Sequence, residues 1–77
     1  MLDHDKTMKL WNSLLGKSTT KARDFRGRLI YKEAYGQPNS EFGWDVHHIR
    51  PKNQGGTDKS NNLQIVHHDT HDEIHGR

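Results

Sequence analysis

Six of the seven histidines of this chain lie within 29 residues, and the chain has no cysteine. Those six are His47, His48, His67, His68, His71 and His75. Only 29% of the 77 residues are apolar, and a domain with so thin a core usually needs a disulfide, a metal ion or a partner to fold firmly. Without cysteine, disulfides and thiolate zinc clusters are excluded, and histidine is the remaining soft ligand. A histidine-bound metal ion is therefore the first candidate for the missing stabilisation.

The charges are unevenly distributed, although the formal net charge is only +2. Residues 6–32 hold eight Lys and Arg against Asp24 alone, whereas residues 33–77 hold four against seven Asp and Glu. A basic first part and an acidic, histidine-rich second part indicate that one binds a polyanion and the other a cation. The alternative is a basic surface that is merely solvated.

The sequence gives no sign of a membrane protein. No run approaches the roughly 18 apolar residues of a membrane span, and residues 1–9 are charged rather than apolar. We therefore expect neither a membrane span nor a signal peptide, and a cytoplasmic location.

The first predicted element is a short helix at residues 6–15, because apolar residues recur there at helical spacing. Asp5 or Thr7 is expected to cap its start. Trp11 of this helix and Trp44 are expected to be core aromatics, because so few apolar residues leave none to spare for the surface.

The middle of the chain carries weaker signals. Residues 16–28 are polar and basic without a clear period, which predicts a linker or arm followed by a turn at Gly27. Residues 29–31 are predicted to add a small strand. Residues 35–40 contain the strongest turn chemistry of the chain, so we expect a loop there.

Two strands and a helix are predicted in the second half. Residues 42–49 and 63–66 are rich enough in aromatic and β-branched side chains for strands. The thirteen residues between them, 50–62, form a connection that is unusually long for so small a domain unless it is functional. Residues 69–74 are predicted to form a short helix that begins at an Asp.

The histidine spacing predicts a metal site. His71 and His75 are four apart, so on a helix they share one face and can bind one cation. A third ligand from the strand, either His47 or His48, leaves a fourth position open, as in catalytic zinc sites. Adjacent side chains on a strand diverge, so the other of these two would remain unliganded and could act as a general base near neutral pH. The alternatives are a chance cluster of histidines and a structural metal site.

Four short motifs in register make the chain resemble a known family. They are Gly43-Trp44-Asp45-Val46-His47-His48-Ile49-Arg50-Pro51, then Gly55-Gly56, then Asn62-Leu63, then the His71 and His75 pair. Their order and spacing resemble those of the HNH nucleases, also called ββα-metal nucleases. The resemblance extends upstream to Asp24, Gly27, Tyr35-Gly36 and Ser40. It divides the chain into an N-terminal helix and basic arm, residues 1–23, and an HNH domain, residues 24–77.

The resemblance implies a role for each histidine of the site. The His-His pair and the helical pair are similar to those of colicin-type nucleases, and the upstream pattern is similar to that of small bacterial and phage HNH endonucleases. By this resemblance His47, His71 and His75 bind one divalent ion and His48 is the general base. Three imidazoles favour Zn²⁺, Ni²⁺ or Mn²⁺ in affinity over Mg²⁺, although affinity does not name the ion that supports catalysis.

The resemblance also bears on three other polar residues. Asn62 corresponds to the family Asn that holds the long loop and thereby orients the base, although an ordinary turn Asn is the alternative, with Asn61 beside it. Asp45 lies where some relatives have an acidic residue that orients a catalytic arginine. Glu41 occupies the matching arginine position here, so that role is open, with Arg50 as the one substitute. His67 and His68 match no family ligand and are expected to be exposed; the alternatives are that they end the second strand or contact the phosphate backbone.

We thus expect a small α+β domain, a β-hairpin and a short helix around one metal ion, with an N-terminal helix or arm packed on it. It would be an HNH endonuclease that hydrolyses nucleic-acid phosphodiesters, with double-stranded DNA as the expected substrate. The residues expected to contact phosphates are Lys21, Arg23, Arg26, Arg28, Arg50 and Lys52. The alternative is a non-catalytic, metal-stabilised nucleic-acid-binding module of a larger complex. The sequence does not distinguish DNA from RNA, and a homodimer would explain paired cuts on two strands.

Overall fold

The chain forms a helix, a short β-hairpin, a second and longer β-hairpin, and a closing helix. The computed structural model describes residues 3–76. Helix α1 spans His4–Leu15 and helix α2 spans His68–Ile74. The first hairpin pairs β1 (Lys21–Arg23) with β2 (Leu29–Tyr31), and the second pairs β3 (Trp44–His48) with β4 (Leu63–His67). Short 3-10 helices cover Lys32–Ala34, Lys52–Gln54 and Ser60–Asn62. The predicted α+β class and the ββα order of β3, β4 and α2 are confirmed.

Helix α1 begins at His4, two residues earlier than predicted, because Asp3 caps it. The Asp3 carboxylate accepts a hydrogen bond from the N–H of Lys6 at 2.8 Å, as the side chain of an N-terminal capping residue does. The prediction of Asp5 or Thr7 as the cap is wrong. Thr7 lies inside the helix, where it is fully buried and donates its hydroxyl to the Asp3 carbonyl at 2.8 Å.

For residues 16–28 the sequence predicts a linker or arm followed by a turn at Gly27. They contain strand β1 in place of a plain linker, whereas the turn at Gly27 and the strand at residues 29–31 are confirmed. One oxygen of the Asp24 carboxylate closes this turn by accepting the N–H groups of Arg26 and Arg28, each at 3.0 Å. Its other oxygen accepts the N–H of His67 at 3.0 Å. A three-residue strand is too short to leave a period in the sequence, and the hairpin is held by this contact with a distant part of the chain.

Strands β3 and β4 pair antiparallel, with Trp44 opposite His67 and His48 opposite Leu63. Helix α2 follows β4 directly and packs on both strands. It begins one residue before the predicted start at Asp69, because the His67 ring caps it by accepting the Asp69 N–H at 3.0 Å. The direct passage from β4 into α2 brings the histidines of the helix next to β3.

The core joins α1 to both hairpins. Trp11 and Trp44 are fully buried with their ring centroids 5.0 Å apart, which confirms both as core aromatics. Each indole N–H donates to a carbonyl at 2.8 Å, that of Trp11 to Thr19 and that of Trp44 to Tyr31. Buried indoles need such partners, so these bonds fix how the elements pack. Within residues 3–76, neither helix has the length and apolar character that crossing a membrane requires.

Candidate active site and metal centre

The structure brings His47, His71 and His75 together beside β3. The His71 and His75 rings lie edge to face with centroids 4.5 Å apart, and His47 lies 5.6 Å from one and 5.7 Å from the other. One ring nitrogen of each residue lies within 4.8 Å of the other two. The Nε2 atoms of His71 and His75 are 3.1 Å apart. The spacing of four on a helix and the β3–β4 register together produce this cluster.

These three residues fit a divalent metal ion. Around a tetrahedral ion with metal–nitrogen distances of about 2.0–2.1 Å, ligand nitrogens lie about 3.3 Å apart, close to the spacing of the helical pair. Burial lowers the pKa of His47, and the charges that His71, His75 and His48 carry when protonated lower it further. The neutral imidazole that binds metal is therefore favoured at His47.

An acidic side chain lies behind one of the three histidines. The Asp45 carboxylate is 3.8 Å from Nδ1 of His71. A carboxylate near the second nitrogen of a metal-binding imidazole is the common arrangement that orients such a ligand. Arg50, considered as its arginine partner, instead donates its Nε–H to the Gln54 carbonyl at 2.7 Å. Asp45 is thus placed next to a histidine of the candidate metal centre.

His67, His68 and Asp69 form a second group of possible metal ligands. The hydrogen bonds of the two histidines instead hold the backbone of neighbouring segments. The Glu41 carbonyl 2.6 Å from Nε2 of His67 can only accept, and the Asp69 N–H at Nδ1 can only donate, so both ring nitrogens are used. Nε2 of His68 donates to the Ser40 carbonyl at 3.0 Å. The expectation that both are exposed is wrong, since His67 is buried and His68 half-buried because they fasten the loop before β3 to the start of α2.

His48 follows His47 on β3 and lines the same cleft. This cleft of about 480 Å³ is also lined by the three clustered histidines, Asp45 and Lys52. Nε2 of His48 lies 2.7 Å from Oδ1 of Asp58, whose other oxygen is 3.1 Å from the Lys52 ammonium. The hydrogen bonds with His48 and Lys52 lower the pKa of Asp58. The sequence analysis did not single out Asp58. The one feature of the sequence that could have indicated it is its position in the unusually long loop of residues 50–62.

Asn62 closes that long loop. Its side-chain oxygen accepts the Arg50 N–H at 2.8 Å, and its amide group donates to the carbonyls of Arg50 at 3.1 Å and Thr57 at 2.8 Å. The turn is so tight that a Cβ at Gly56 would collide with the Arg50 carbonyl. Asn62 therefore makes the loop-holding bonds expected from the resemblance.

The basic residues expected at the nucleic acid differ in how they are engaged. Arg28 is bound on three sides, to the Thr70 hydroxyl at 2.9 Å and to both carboxylate oxygens of Glu73 at 2.9 and 2.7 Å. Arg26 lies 3.5 Å from the same carboxylate but is about half exposed. Lys21 and Arg23 are exposed on the hairpin. Arg28 thus joins the first hairpin to α2. Its neighbours are more exposed, although the Arg23 guanidinium donates to the Gly27 carbonyl at 2.8 Å and the Lys21 ammonium lies 5.1 Å from the Tyr31 ring centroid.

The fold and site together define a ββα nuclease domain with a candidate three-histidine metal centre. A family model described as HNH endonuclease matches residues 37–77, more than half of the chain, and includes β3, β4 and α2. The chain belongs to the HNH endonuclease family, which confirms the resemblance and implies a nuclease-type, hydrolytic function. Searches of curated proteins and of solved structures gave no match.

Proposed function

We propose that the protein is a metal-dependent endonuclease that hydrolyses phosphodiester bonds of double-stranded DNA. The observation that carries this proposal is the placement of His48 beside the three-histidine cluster in one cleft. A site that served only to stabilise the fold would have no use for a further imidazole in the cleft that the cluster lines. A general base beside a candidate cation site is the arrangement that hydrolysis needs.

In the proposed mechanism His47, His71 and His75 hold one divalent ion, most favourably Zn²⁺, Ni²⁺ or Mn²⁺ for three imidazoles. When bound, the ion supplies positive charge that favours the scissile phosphate and the departing oxygen. Neutral His48 accepts a proton from water as the water oxygen forms its bond to phosphorus. The bond from phosphorus to the 3′ oxygen breaks and that oxygen takes a proton from solvent, which leaves a 5′ phosphate and a 3′ hydroxyl.

The exposed cations hold the DNA backbone in this proposal. Lys21, Arg23 and Arg26 on the first hairpin, and Lys52 at the cleft, would contact phosphates, which carry no sequence information directly. Arg28 contributes by fixing the hairpin against α2. Two copies acting on opposite strands would make paired cuts.

A plasmid assay tests the proposal. We expect supercoiled DNA to be nicked or linearised with at least one of Mg²⁺, Mn²⁺, Zn²⁺ and Ni²⁺, and to remain intact with EDTA. DNA binding without cleavage under every ion would instead support the non-catalytic binding module. A parallel assay with RNA of the same charge measures the preference for DNA.

A further inference from the structure

The carboxylate of Asp58 determines which nitrogen of His48 carries the proton. Oδ1 of Asp58 lies 2.7 Å from Nε2 of His48, and an ionised carboxylate can only accept. Nε2 therefore carries a hydrogen, so in the neutral ring the lone pair resides on Nδ1. Among residues 3–76 no hydrogen-bond partner is described for that Nδ1.

We infer that Asp58 is a positioning residue for the general base: it holds the His48 ring in one orientation with Nδ1 as the proton acceptor. The inference rests on the proposed function, in which His48 is the general base. It follows the general logic of catalytic histidines, in which a carboxylate on one ring nitrogen fixes the tautomer and the orientation of the other.

The position of Asp58 is itself determined by the long loop. Asn62 donates to the carbonyl of Thr57, the residue immediately before Asp58, at 2.8 Å. The second carboxylate oxygen of Asp58 is bound by Lys52 at 3.1 Å. Both oxygens are thus held, one by the base and one by a cation from the other side of the loop. The thirteen-residue connection thus returns a carboxylate to His48 at the end of β3.

Cleavage kinetics of Asp58→Asn and Asp58→Ala test the inference. We expect kcat to fall about 10-fold or more in both, the scale found for partners of this kind, with KM and the affinities for DNA and Ni²⁺ unchanged. Asp58→Glu, which keeps the carboxylate, should recover part of the loss. Asp5→Asn removes the same charge from the exposed first turn of α1 and should match the wild type. A kcat of Asp58→Ala equal to or above that of the wild type would overturn the inference, since the carboxylate would then be idle or would block the ring.

A double variant separates positioning from a general structural role. In a His48→Ala background, Asp58→Ala should cost no further activity, because the group that it orients is gone. An additional loss of the full single-variant size would show that Asp58 acts elsewhere, and would overturn the inference.

The proton itself can be observed without any activity. In ¹⁵N-labelled protein above neutral pH, we expect the Nε2–H of His48 to give a resonance slow to exchange with water in the wild type and in Asp5→Asn. Asp58→Ala should lose that resonance. If the wild type cleaves nothing, the proposed function fails, but this measurement still tests whether Asp58 positions the ring. A slowly exchanging Nε2–H resonance of His48 in both the wild type and Asp58→Ala would overturn the inference.

Discussion

The Asp24 carboxylate accepts a hydrogen bond from the backbone N–H of His67 at 3.0 Å, across 43 positions of the chain. One end of this bond lies in the turn of the first hairpin, and the other lies where β4 passes into α2. Because α2 carries His71 and ends at the residue before His75, the bond connects the basic hairpin to the candidate metal centre.

Removal of Asp24 should therefore destabilise the fold. Asp24→Ala leaves the buried N–H of His67 without its partner, which typically costs about 1–3 kcal/mol, and also removes the acceptor of the part-buried N–H groups of Arg26 and Arg28. Thermal unfolding followed by circular dichroism should show a lower Tm than the wild type. Asp5→Ala, at an exposed position, should leave Tm nearly unchanged, and an equal Tm for both variants would contradict the role of Asp24.

Asp24 should also contribute to acid unfolding. Burial raises its pKa, but hydrogen bonds from Thr70, His67, Arg28 and Arg26 outweigh burial and hold the pKa below its ordinary value. With the folded pKa below the unfolded one, near 3.9, its contribution is present above about pH 4 and is lost as the pH falls through the folded pKa. Asp24→Asn should lose less stability than the wild type over that range in denaturant titrations. Identical losses of stability in the two proteins would show that protonation of Asp24 is not coupled to folding.

Metal binding should stabilise the protein if the ion compensates for the thin core. An ion at 100 times its Kd adds about 2.7 kcal/mol, so EDTA should lower the Tm of the metal-loaded wild type. The His71→Ala and His75→Ala variants should have a lower Tm than the wild type even without EDTA, and EDTA should lower their Tm little further. The control is His4→Ala, which removes an exposed imidazole from α1 and should behave as the wild type.

Alanine substitutions of the two adjacent histidines of β3 should impair different steps. His48→Ala should leave Ni²⁺ affinity and DNA binding nearly intact while cleavage falls by about 10²-fold or more, the usual scale for a lost general base. His47→Ala should instead weaken Ni²⁺ binding, and added metal should restore part of the cleavage. Isothermal titration and plasmid cleavage measure the two effects, and wild-type cleavage by metal-loaded His48→Ala would exclude His48 as the base.

The first hairpin should supply salt-dependent DNA affinity. If Lys21, Arg23 and Arg26 contact phosphates, binding should weaken with a log–log salt slope of about −0.9 per contact, and replacing all three with Ala should flatten that slope. Arg28→Ala should mainly lower Tm, because its guanidinium is bound to Glu73 and Thr70. Fluorescence anisotropy with a labelled duplex measures the slope. An unchanged slope in the triple variant would place the DNA elsewhere.

Local patterns in the sequence determined the elements that form the site. Helical spacing predicted α1 and the shared face of His71 and His75, and apolar runs predicted β3 and β4. Together with the order of the motifs, these patterns predicted that His47, His71 and His75 lie together. These features depend on neighbours within a few positions, which a sequence displays directly.

Only the tertiary structure decided which polar groups meet. Strand β1, the burial of His67, the pairing of Arg28 with Glu73 and the contact of Asp58 with His48 left no period in the sequence. A carboxylate accepts from any donor that the fold brings within reach, so its partner depends on chain packing and not on its neighbours. Asp24 shows this most clearly, because an ordinary turn aspartate became a buried link only once β4 and α2 packed against the first hairpin.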